Sequence, residues 1–290
     1  MQRGTDSNCL TMRIAVFTKK QSLRTRKEAV QLVEGLRSNG VEVYDIESAA
    51  DLLPQTSLLL SLGGDGTFLS AAKRAALQGI PIMGINFGRV GFLSEFDGKE
   101  ALQSILSQDY SIEDRSMLCT EVISPDGSIR EIEGFWPYSL NEVTVHRSSH
   151  SVLGIEVTLD SEPLPTYWAD GLLVATSSGS TAYSLSVGGP ICMPDSRVLI
   201  IAPIAPHNLN VRPLIVPETT RVSLGIISRE DPAVLTLDNR TFHLMEGDTL
   251  RVSLARFSLK KVRSLRSDFV NALRTKLFWG EDKRNSPENN

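Results

Sequence analysis

A glycine-rich turn with a single carboxylate is the feature that most limits how this chain can fold. Residues 58–76 read LLLSLGGDGTFLSAAKRAA, so an apolar run leads into residues 63–67 (GGDGT) and an alanine-rich segment follows. Consecutive apolar residues are typical of a central strand buried on both faces, and the alanine-rich segment predicts a helix. The segment therefore predicts a strand, a turn and a helix, with Asp65 in the turn.

The surrounding region, residues 12–115, alternates short apolar runs with helix-like stretches. This alternation is typical of a parallel sheet covered by helices. A helix with Val30, Val33 and Leu36 on one face is expected to end at the Asn39-Gly40 pair. We therefore expect a Rossmann-like α/β N-terminal domain, and its predicted strands are residues 13–17, 41–45, 57–62 and 80–85.

Residues 116–265 have a different texture, with short alternating segments separated by turn residues such as PDG. Alternation of this kind indicates antiparallel strands, and a β-rich, sandwich-like C-terminal domain is expected. Residues 266–280 return to helical spacing, and we expect this helix to pack back on the first domain. Residues 281–290 are polar and are expected to form a disordered tail.

Composition narrows the class of protein. The 290 residues suit about two domains of roughly 150 residues each. A net charge of −4 gives no global attraction to a polyanion, so nucleic acid and anionic membranes are disfavoured as main partners. No membrane-spanning run and no signal peptide are found, and a cytoplasmic location is expected.

Neither cysteines nor histidines predict a metal centre. Cys9, Cys119 and Cys192 are far apart and odd in number, which fits reduced thiols better than a disulfide framework. His146 and His150 are four residues apart, but the alternation around them predicts a strand and not the helix on which such a pair would bind zinc. We expect no metal-binding cluster of side chains.

The turn at residues 63–67 lies where α/β folds bind ligands, at the carboxyl edge of a central strand. Gly63, Gly64 and Gly66 leave backbone amides open to close approach, and Thr67 is expected to cap the following helix, whose amino end favours anions. These residues predict a phosphate-binding turn.

Asp65 is itself an anion and would repel a phosphate unless it had a chemical role. The lysine of a P-loop is missing, and no G-x-G-x-x-G motif is present. A carboxylate beside phosphate-binding amides suits a general base for an attacking hydroxyl, with a divalent cation offsetting the phosphate charge. The alternative is that Asp65 only caps its helix.

Three further segments identify a resemblance: NFGRVGFLSEF at 86–96, NEV at 141–143, and WADGLLVATSSGSTAYSLSVGGP at 168–190. In this order and spacing, from Met12 to about Gly280, the sequence resembles the NAD kinases. GGDGT alone is shared with lipid kinases and, as GGDGS, with phosphofructokinases, so the long third segment discriminates. The resemblance implies transfer of the ATP γ-phosphate to the 2′-hydroxyl of the adenosine ribose of NAD, with Mg²⁺ or another divalent cation.

The resemblance also implies roles for individual residues. Asp65 would be the base, with Gly66 in backbone contact, and Phe92 would line the adenine pocket. Asn141 and Glu142 would hydrogen-bond ribose hydroxyls, because an amide beside a carboxylate suits a vicinal diol. The remaining residues expected to bind the dinucleotide are Asp170, Ser178, Thr181, Ala182, Tyr183, Ser186 and, on a weaker match in DNR, Arg240.

In bacterial members of the family, the residue matching Asp170 is reached from a neighbouring subunit. A homodimer or homotetramer with a shared site is therefore expected. Two alternatives remain, a lipid kinase with the same turn and a nucleotide sensor without chemistry. The polar character of residues 168–190 argues against the first, and the retention of Asp65 argues against the second.

Overall fold

The computed structural model describes residues 12–88, 91–228, 232–266 and 268–280. By its internal contacts the chain divides into two compact units. One is formed by the described residues up to Glu113 together with those from Lys260 onward, and the other runs from Asp114 to Leu259. The predicted domain boundaries, after residues 115 and 265, lie two and six residues beyond these points. The predicted disordered tail lies outside the described residues.

Helices are few and mostly short. Within the described residues the α-helices are α1 (Gln21–Arg24), α2 (Lys27–Ser38), α3 (Asp65–Ala75), α4 (Gly98–Ser107), α5 (Tyr183–Ser186) and α6 (Phe269–Leu277). Single 3-10 turns occupy Ala49–Asp51, Ala76–Gln78 and Ser178–Thr181. No helix of the described residues is both long enough and apolar enough to cross a membrane.

Strands make up most of the regular structure. Those in the described residues are β1 (Arg13–Phe17), β2 (Glu42–Asp45), β3 (Leu58–Leu62), β4 (Ile82–Ile85), β5 (Tyr110–Arg115), β6 (Leu118–Ile123), β7 (Tyr138–Ser139), β8 (Glu142–His146), β9 (Leu153–Leu159), β10 (Glu162–Pro163), β11 (Tyr167–Ala169), β12 (Gly171–Thr176), β13 (Val198–Ile204), β14 (Leu214–Pro217), β15 (Val222–Ile227), β16 (Val234–Leu237), β17 (Arg240–His243), β18 (Thr249–Leu254) and β19 (Leu259–Ser264).

The first unit is built on one six-stranded sheet with the order β2-β1-β3-β4-β19-β5. Strands β1 to β4 pair in parallel, and β19 joins β4 in parallel with Lys261 opposite Ile82. Every residue of β3 is buried, as its run of leucines predicts. The order reverses between β1 and β3, and the GGDGT turn follows β3 at this switch point, where open α/β sheets bind ligands.

The predicted helix after β1 is present with a different buried face. A break at Thr25 and Arg26 separates α1 from α2, and Gly40 ends the segment with a φ of +81°. The buried residues of α2 are Ala29, Leu32 and Leu36, whereas Val30 and Val33 are only partly covered. Because the small side chain of Ala29 is buried where Val30 was expected, the buried face of α2 is rotated by about one residue from the predicted face.

The second unit consists of two antiparallel sheets. Their orders are β10-β9-β15-β18-β6-β7, with β11 also paired to β9, and β14-β13-β12-β8-β16-β17. One hydrophobic core draws side chains from both, for example Val157 and Leu224 from the first sheet and Leu172 and Val174 from the second. The predicted class, a parallel α/β part followed by a β-rich part, is confirmed.

A smaller core lies on the opposite side of β12 and β13. Leu173, Ala175 and Ile200 pack there against Cys192, which belongs to the segment that follows residues 168–190. Alternating residues of β12 thus belong to two different cores, because successive side chains of a strand point to opposite faces. This second core anchors the segment that carries the predicted dinucleotide-binding residues.

Candidate active site

The GGDGT turn needs glycine at its first position for two reasons. Gly63 has a φ of +147°, and a Cβ there would lie 2.4 Å from Oγ1 of Thr67. By contrast, a Cβ on Gly64 or Gly66 would meet nothing within 4 Å, so space is open beside these two residues. The predicted phosphate-binding residues Gly63, Gly64, Gly66 and Thr67 therefore lie together at the start of α3.

Thr67 was predicted to cap α3, and this prediction is wrong. The helix begins at Asp65 with Gly64 as its N-cap, and no side chain caps it. The amides of Thr67 and Phe68 instead donate to the carbonyl oxygen of Gly64, at 2.8 and 3.2 Å. Because Gly64 is the N-cap, the helix begins two residues before Thr67, and Thr67 lies within the first helical turn.

The carboxylate of Asp65 binds three consecutive backbone amides from a different segment. Oδ2 accepts from the amide of Phe92 at 2.9 Å, and Oδ1 accepts from Leu93 at 3.1 Å and from Ser94 at 2.9 Å. A carboxylate has about four lone-pair sites, so these contacts occupy three of them. Among the described contacts, the second site on Oδ2 is left for a further donor. Asp65 is thus a clamp on residues 92–94 and does not cap its own helix.

Phe92 lies on the segment that Asp65 holds. Its ring packs against that of Phe269 with centroids 6.0 Å apart, and Nζ of Lys276 lies 4.9 Å from the centre of the Phe92 ring. The Lys276 ammonium also donates to the carbonyl oxygen of Gly91. Helix α6 therefore fixes the orientation of a side chain that the sequence predicts to line the adenine pocket.

A buried lysine lies close to this cluster. Lys261 on β19 has no exposed surface and forms an ion pair with Glu95, directly after the clamped segment. Burial, followed by the charges of Lys276 and Arg263, lowers the pKa of Lys261 to about 7, while Asp65 acts in the opposite direction. The surroundings of Asp65 are thus rich in ammonium groups.

In the second unit, Asn141 and Glu142 lie at the start of β8 and are both buried. Asp238, in the turn between β16 and β17, accepts hydrogen bonds from the amides of Leu140, Asn141 and Glu142 at 2.9, 2.8 and 3.3 Å. The segment is therefore held by one carboxylate, in the same manner as residues 92–94.

The segment with the TAYSLS motif packs directly on this pair. The amide of Thr176 donates to the carbonyl oxygen of Asn141 at 2.9 Å, and a Cβ on Gly179 would lie only 2.2 Å from that oxygen. Glycine at 179 thus permits the close approach of two segments that the sequence predicts to bind the same dinucleotide.

The other predicted residues of this segment differ in exposure. Ser178 is buried and accepts from Arg115 at 3.3 Å, whereas Tyr183 is 38% exposed. Thr181 and Ala182 are partly buried, and Ser186 is exposed. Ser180, between Ser178 and Thr181, is fully buried, and its hydroxyl bonds to the backbone of Cys192. Its role in the structure is to anchor the loop.

Asp170 and Arg240 each have a partner within the second unit. The guanidinium of Arg147 binds Asp170 through two contacts, at 2.7 and 3.2 Å. Arg240 donates to the carbonyl oxygens of Trp136 and Tyr138, both at 2.5 Å, and lies 4.9 Å from the Trp136 ring. The structure thus gives Arg240 a local structural contact, and its binding of a dinucleotide stays a prediction.

Several residues near these sites were missed by the sequence reasoning. Asp238 lies in the DNR motif that was noticed only for its arginine, and Gly91 lies inside NFGRVGFLSEF. Lys261 and Lys276 stand in ordinary strand and helix patterns and carry no local signal. Among the described residues, no group of three or more His, Cys, Asp or Glu side chains is placed to hold a metal ion.

A cavity of about 1000 Å³ lies elsewhere in the first unit. It is lined by polar side chains from α4, α6 and the segments before them, including Glu95, Lys99, Glu100 and Lys276. None of the predicted site residues lines it, although Glu95 and Lys276 connect it to the surroundings of Asp65.

Comparisons with known proteins identify one family for both parts of the chain. The model of the ATP-NAD kinase N-terminal domain matches residues 11–111, and that of the ATP-NAD kinase C-terminal domain matches residues 140–264. An NAD kinase of Flavobacterium psychrophilum is 37% identical, over 94% of this chain and all of its own length. An NAD kinase of Porphyromonas gingivalis is 42% identical over 79% of each chain.

Solved structures show the same fold. A yeast NADH kinase in complex with NADH has a TM-score of 0.84 at 25% identity, covering 95% of this chain and 90% of its own. An NAD kinase from Archaeoglobus fulgidus in complex with ATP has a TM-score of 0.70 at 23% identity, covering 88% and 94%. With relatives above one-third identity along nearly its whole length, the chain belongs to the NAD kinase family.

Proposed function

We propose that this chain transfers the γ-phosphoryl group of ATP to the 2′-hydroxyl of the adenosine ribose of NAD, forming NADP, with Asp65 as the general base. The observation that carries the proposal is the position of Asp65. Its carboxylate is fixed by three amides beside a glycine turn at the start of α3, in a chain whose two parts both match NAD kinase models.

The clamp on Asp65 suits a base because it fixes the direction of the carboxylate. The remaining lone-pair site on Oδ2 can accept the proton of the 2′-hydroxyl as its oxygen attacks phosphorus. Phosphoryl transfer needs little covalent help from the protein and depends on positioning and on electrostatic stabilisation. A base that is held in a fixed position is therefore expected to increase the rate more than an intrinsically stronger base that is free to move.

The phosphates of ATP are assigned to the turn that precedes and begins α3. Gly63, Gly64, Gly66 and Thr67 lie at the amino end of an eleven-residue helix, where backbone amides and the helix dipole favour anions. A divalent cation, with Mg²⁺ as the natural choice, would bind the phosphate oxygens and offset their charge.

The dinucleotide is assigned to residues that the resemblance indicates. Asn141 and Glu142 would hydrogen-bond the ribose hydroxyls, and Tyr183 is exposed enough to stack on a ring. The yeast NADH kinase was solved with NADH bound, which supports dinucleotide binding by this fold. The other residues in this assignment are Phe92, Asp170, Ser178, Thr181, Ala182, Ser186 and Arg240.

The proposal extends to assembly and location. We expect a homodimer or homotetramer in which Asp170 binds the nicotinamide end of a dinucleotide held by a neighbouring subunit, and we expect the protein in the cytoplasm. Binding of this kind requires Asp170 to share or exchange its contact with Arg147.

The test is formation of NADP from NAD, ATP and Mg²⁺, read by a coupled NADP-specific dehydrogenase, for wild type and Asp65→Asn. Wild type is expected to turn over, and the variant is expected to lose at least about 1000-fold in kcat while its Kd for NAD stays within a few-fold. Labelled ATP with lipid and sugar acceptors is run in parallel. Transfer to those acceptors instead of NAD would overturn the substrate, and normal turnover by the variant would overturn the base.

A further inference from the structure

Asp238 is a residue of the second unit to which the family resemblance gives no role. Asp238 has a φ of +51°, in the left-handed region, at the two-residue turn that joins β16 to β17. There its side chain accepts from three consecutive amides of residues 140–142, and its own amide donates to the carbonyl oxygen of Glu142 at 3.0 Å. Four hydrogen bonds thus join this one residue to residues 140–142, and three of them are to the Asn141-Glu142 pair.

Glu142 is buried beside this clamp, with only 7% of its surface exposed. Its side chain receives a hydrogen bond from the amide of Tyr183, and Oε2 has no hydrogen-bond partner in the described part of the chain. A buried polar atom without a partner is costly, and such atoms are typical of places where a ligand completes the hydrogen bonding.

We propose that Asp238 is a positioning residue for the dinucleotide, and that it keeps Glu142 in the neutral acid form, so that Oε2–H donates a hydrogen bond to the bound ligand. This inference rests on the proposed function for the identity of the ligand, and on the contacts of residues 140–142, 183 and 238 for the state of Glu142.

Two buried carboxyl groups in one place do not both ionise readily, so the surroundings decide which one keeps the proton. Burial raises the pKa of Asp238 too, but its three amide hydrogen bonds and the nearby Arg240 guanidinium oppose this rise and favour its charged form. Glu142 has a single amide donor and faces the charge of Asp238. The proton therefore belongs to Glu142.

The direction of the pKa of Glu142 agrees with this assignment. Burial raises it first and the charge of Asp238 adds to the rise, to about 8, while the Tyr183 amide opposes it. Glu142 is then mainly neutral at pH 7 and presents one O–H donor together with its carbonyl acceptor. Next to the amide of Asn141, this gives donors and acceptors on both residues, as a vicinal diol requires.

The experiment has one arm that does not depend on catalysis. Infrared difference spectra of the ligand-free protein at pH 7, wild type against Glu142→Gln, should show the C=O stretch of a protonated carboxylic acid that the variant lacks. In wild type this band should fade as the pH rises through about 8. Absence of the band at pH 7 would overturn the inference even if NADP is formed.

The second arm measures NAD affinity by calorimetry. Glu142→Ala should lose about 30-fold or more, whereas Glu142→Gln, which keeps the shape of a neutral acid and a donor, should lose no more than about threefold at pH 7. Wild-type affinity should fall above pH 8, and that of Glu142→Gln should not. If the glutamine variant is as weak as the alanine variant, Glu142 binds as a carboxylate and the inference is wrong.

The third arm separates positioning from a merely structural role of Asp238. Asp238→Asn removes a negative charge and at least one of the three amide bonds, so KM for NAD should rise about tenfold with a smaller change in kcat. The Glu142 acid band should also fade at a pH lower by about one unit or more. A raised KM without that shift would leave Asp238 as a structural clamp only and would overturn its electrostatic role. Failure of wild type to make NADP, with the acid band present, would count against the proposed function alone.

Discussion

Gly91 approaches Asp65 so closely that a Cβ on Gly91 would lie 1.9 Å from Oδ1 of Asp65. The glycine is required here by space and not by a positive φ, and the same segment supplies the three amides that hold the carboxylate.

We therefore expect Gly91→Ala to displace the Asp65 carboxylate and to lower kcat by about 100-fold, because displacements near 1 Å cost about that much. The matched control is Gly88→Ala, where the nearest atom to a new Cβ is 3.8 Å away. Kinetics of both variants provide the measurement, and a Gly91→Ala enzyme within twofold of the control would contradict the clamp.

Lys276 is expected to contribute to stability and to NAD binding through its contacts, and not to take part in phosphoryl transfer. Its ammonium binds the Gly91 carbonyl and lies over the Phe92 ring, so Lys276→Met should reduce stability by about 1–2 kcal/mol and weaken NAD binding. Arg274→Met on the exposed side of the same helix is the control. Urea unfolding of both variants tests this, and equal stabilities would show that the Lys276 contacts contribute nothing.

The buried pair Lys261 and Glu95 should behave as a unit. Lys261→Met alone leaves Glu95, whose side chain is 10% exposed, without its partner and should cost about 3 kcal/mol, whereas adding Glu95→Gln should recover at least half of that loss. A double-mutant cycle in urea at about pH 6, below the pKa of Lys261, measures the coupling. Additive losses would show that the two charges do not stabilise each other.

The same lysine predicts a pH dependence. Its pKa of about 7 in the folded protein lies below the ordinary value of 10.5, so the unfolded chain binds more protons between these values. The contribution of Lys261 to stability therefore rises with pH from about 7 to 10.5. Unfolding of the double variant should lack this rise, and an unchanged pH profile would contradict the assignment.

Gly179 connects the two predicted dinucleotide-binding segments of the second unit. A Cβ would lie 2.2 Å from the Asn141 carbonyl oxygen, so Gly179→Ala should force the segments apart and raise KM for NAD about tenfold or more. Gly225→Ala is the control, since its nearest neighbour is the flexible end of Glu156 at 3.1 Å. A KM equal to that of the control would show that the close approach is not needed.

Local patterns predicted much of the fold. Three features depend only on residues that are neighbours in the sequence, so each could be predicted from a short segment. They are the consecutive leucines of β3, the alternation in the second unit and the end of the helix at Gly40. The helix after β1 was predicted with the wrong apolar stripe, because Ala29 counts little on a hydrophobicity pattern yet packs well in a crowded interface.

The clamps could not be predicted in this way. Asp65 binds amides 27 to 29 residues further along the chain, and Asp238 binds amides 96 to 98 residues before it. Backbone amides are the same for nearly every residue type, so nothing in the acceptor segments marks them as partners. Only the folded chain shows which carboxylate meets which amides.

The position of β19 in the first sheet has a consequence for how the chain is made. This strand is supplied by residues 259–264, yet it lies between β4 and β5, which end by residue 115. During synthesis on the ribosome, the edge of β4, which ends at Ile85, is therefore left without its partner until β19 begins at Leu259, 174 residues later. An open strand edge invites pairing with other chains, and late closure of distant contacts slows folding. Strand β19 also carries Lys261. Glu95 is therefore without its counterion in the growing chain until this strand has been synthesised.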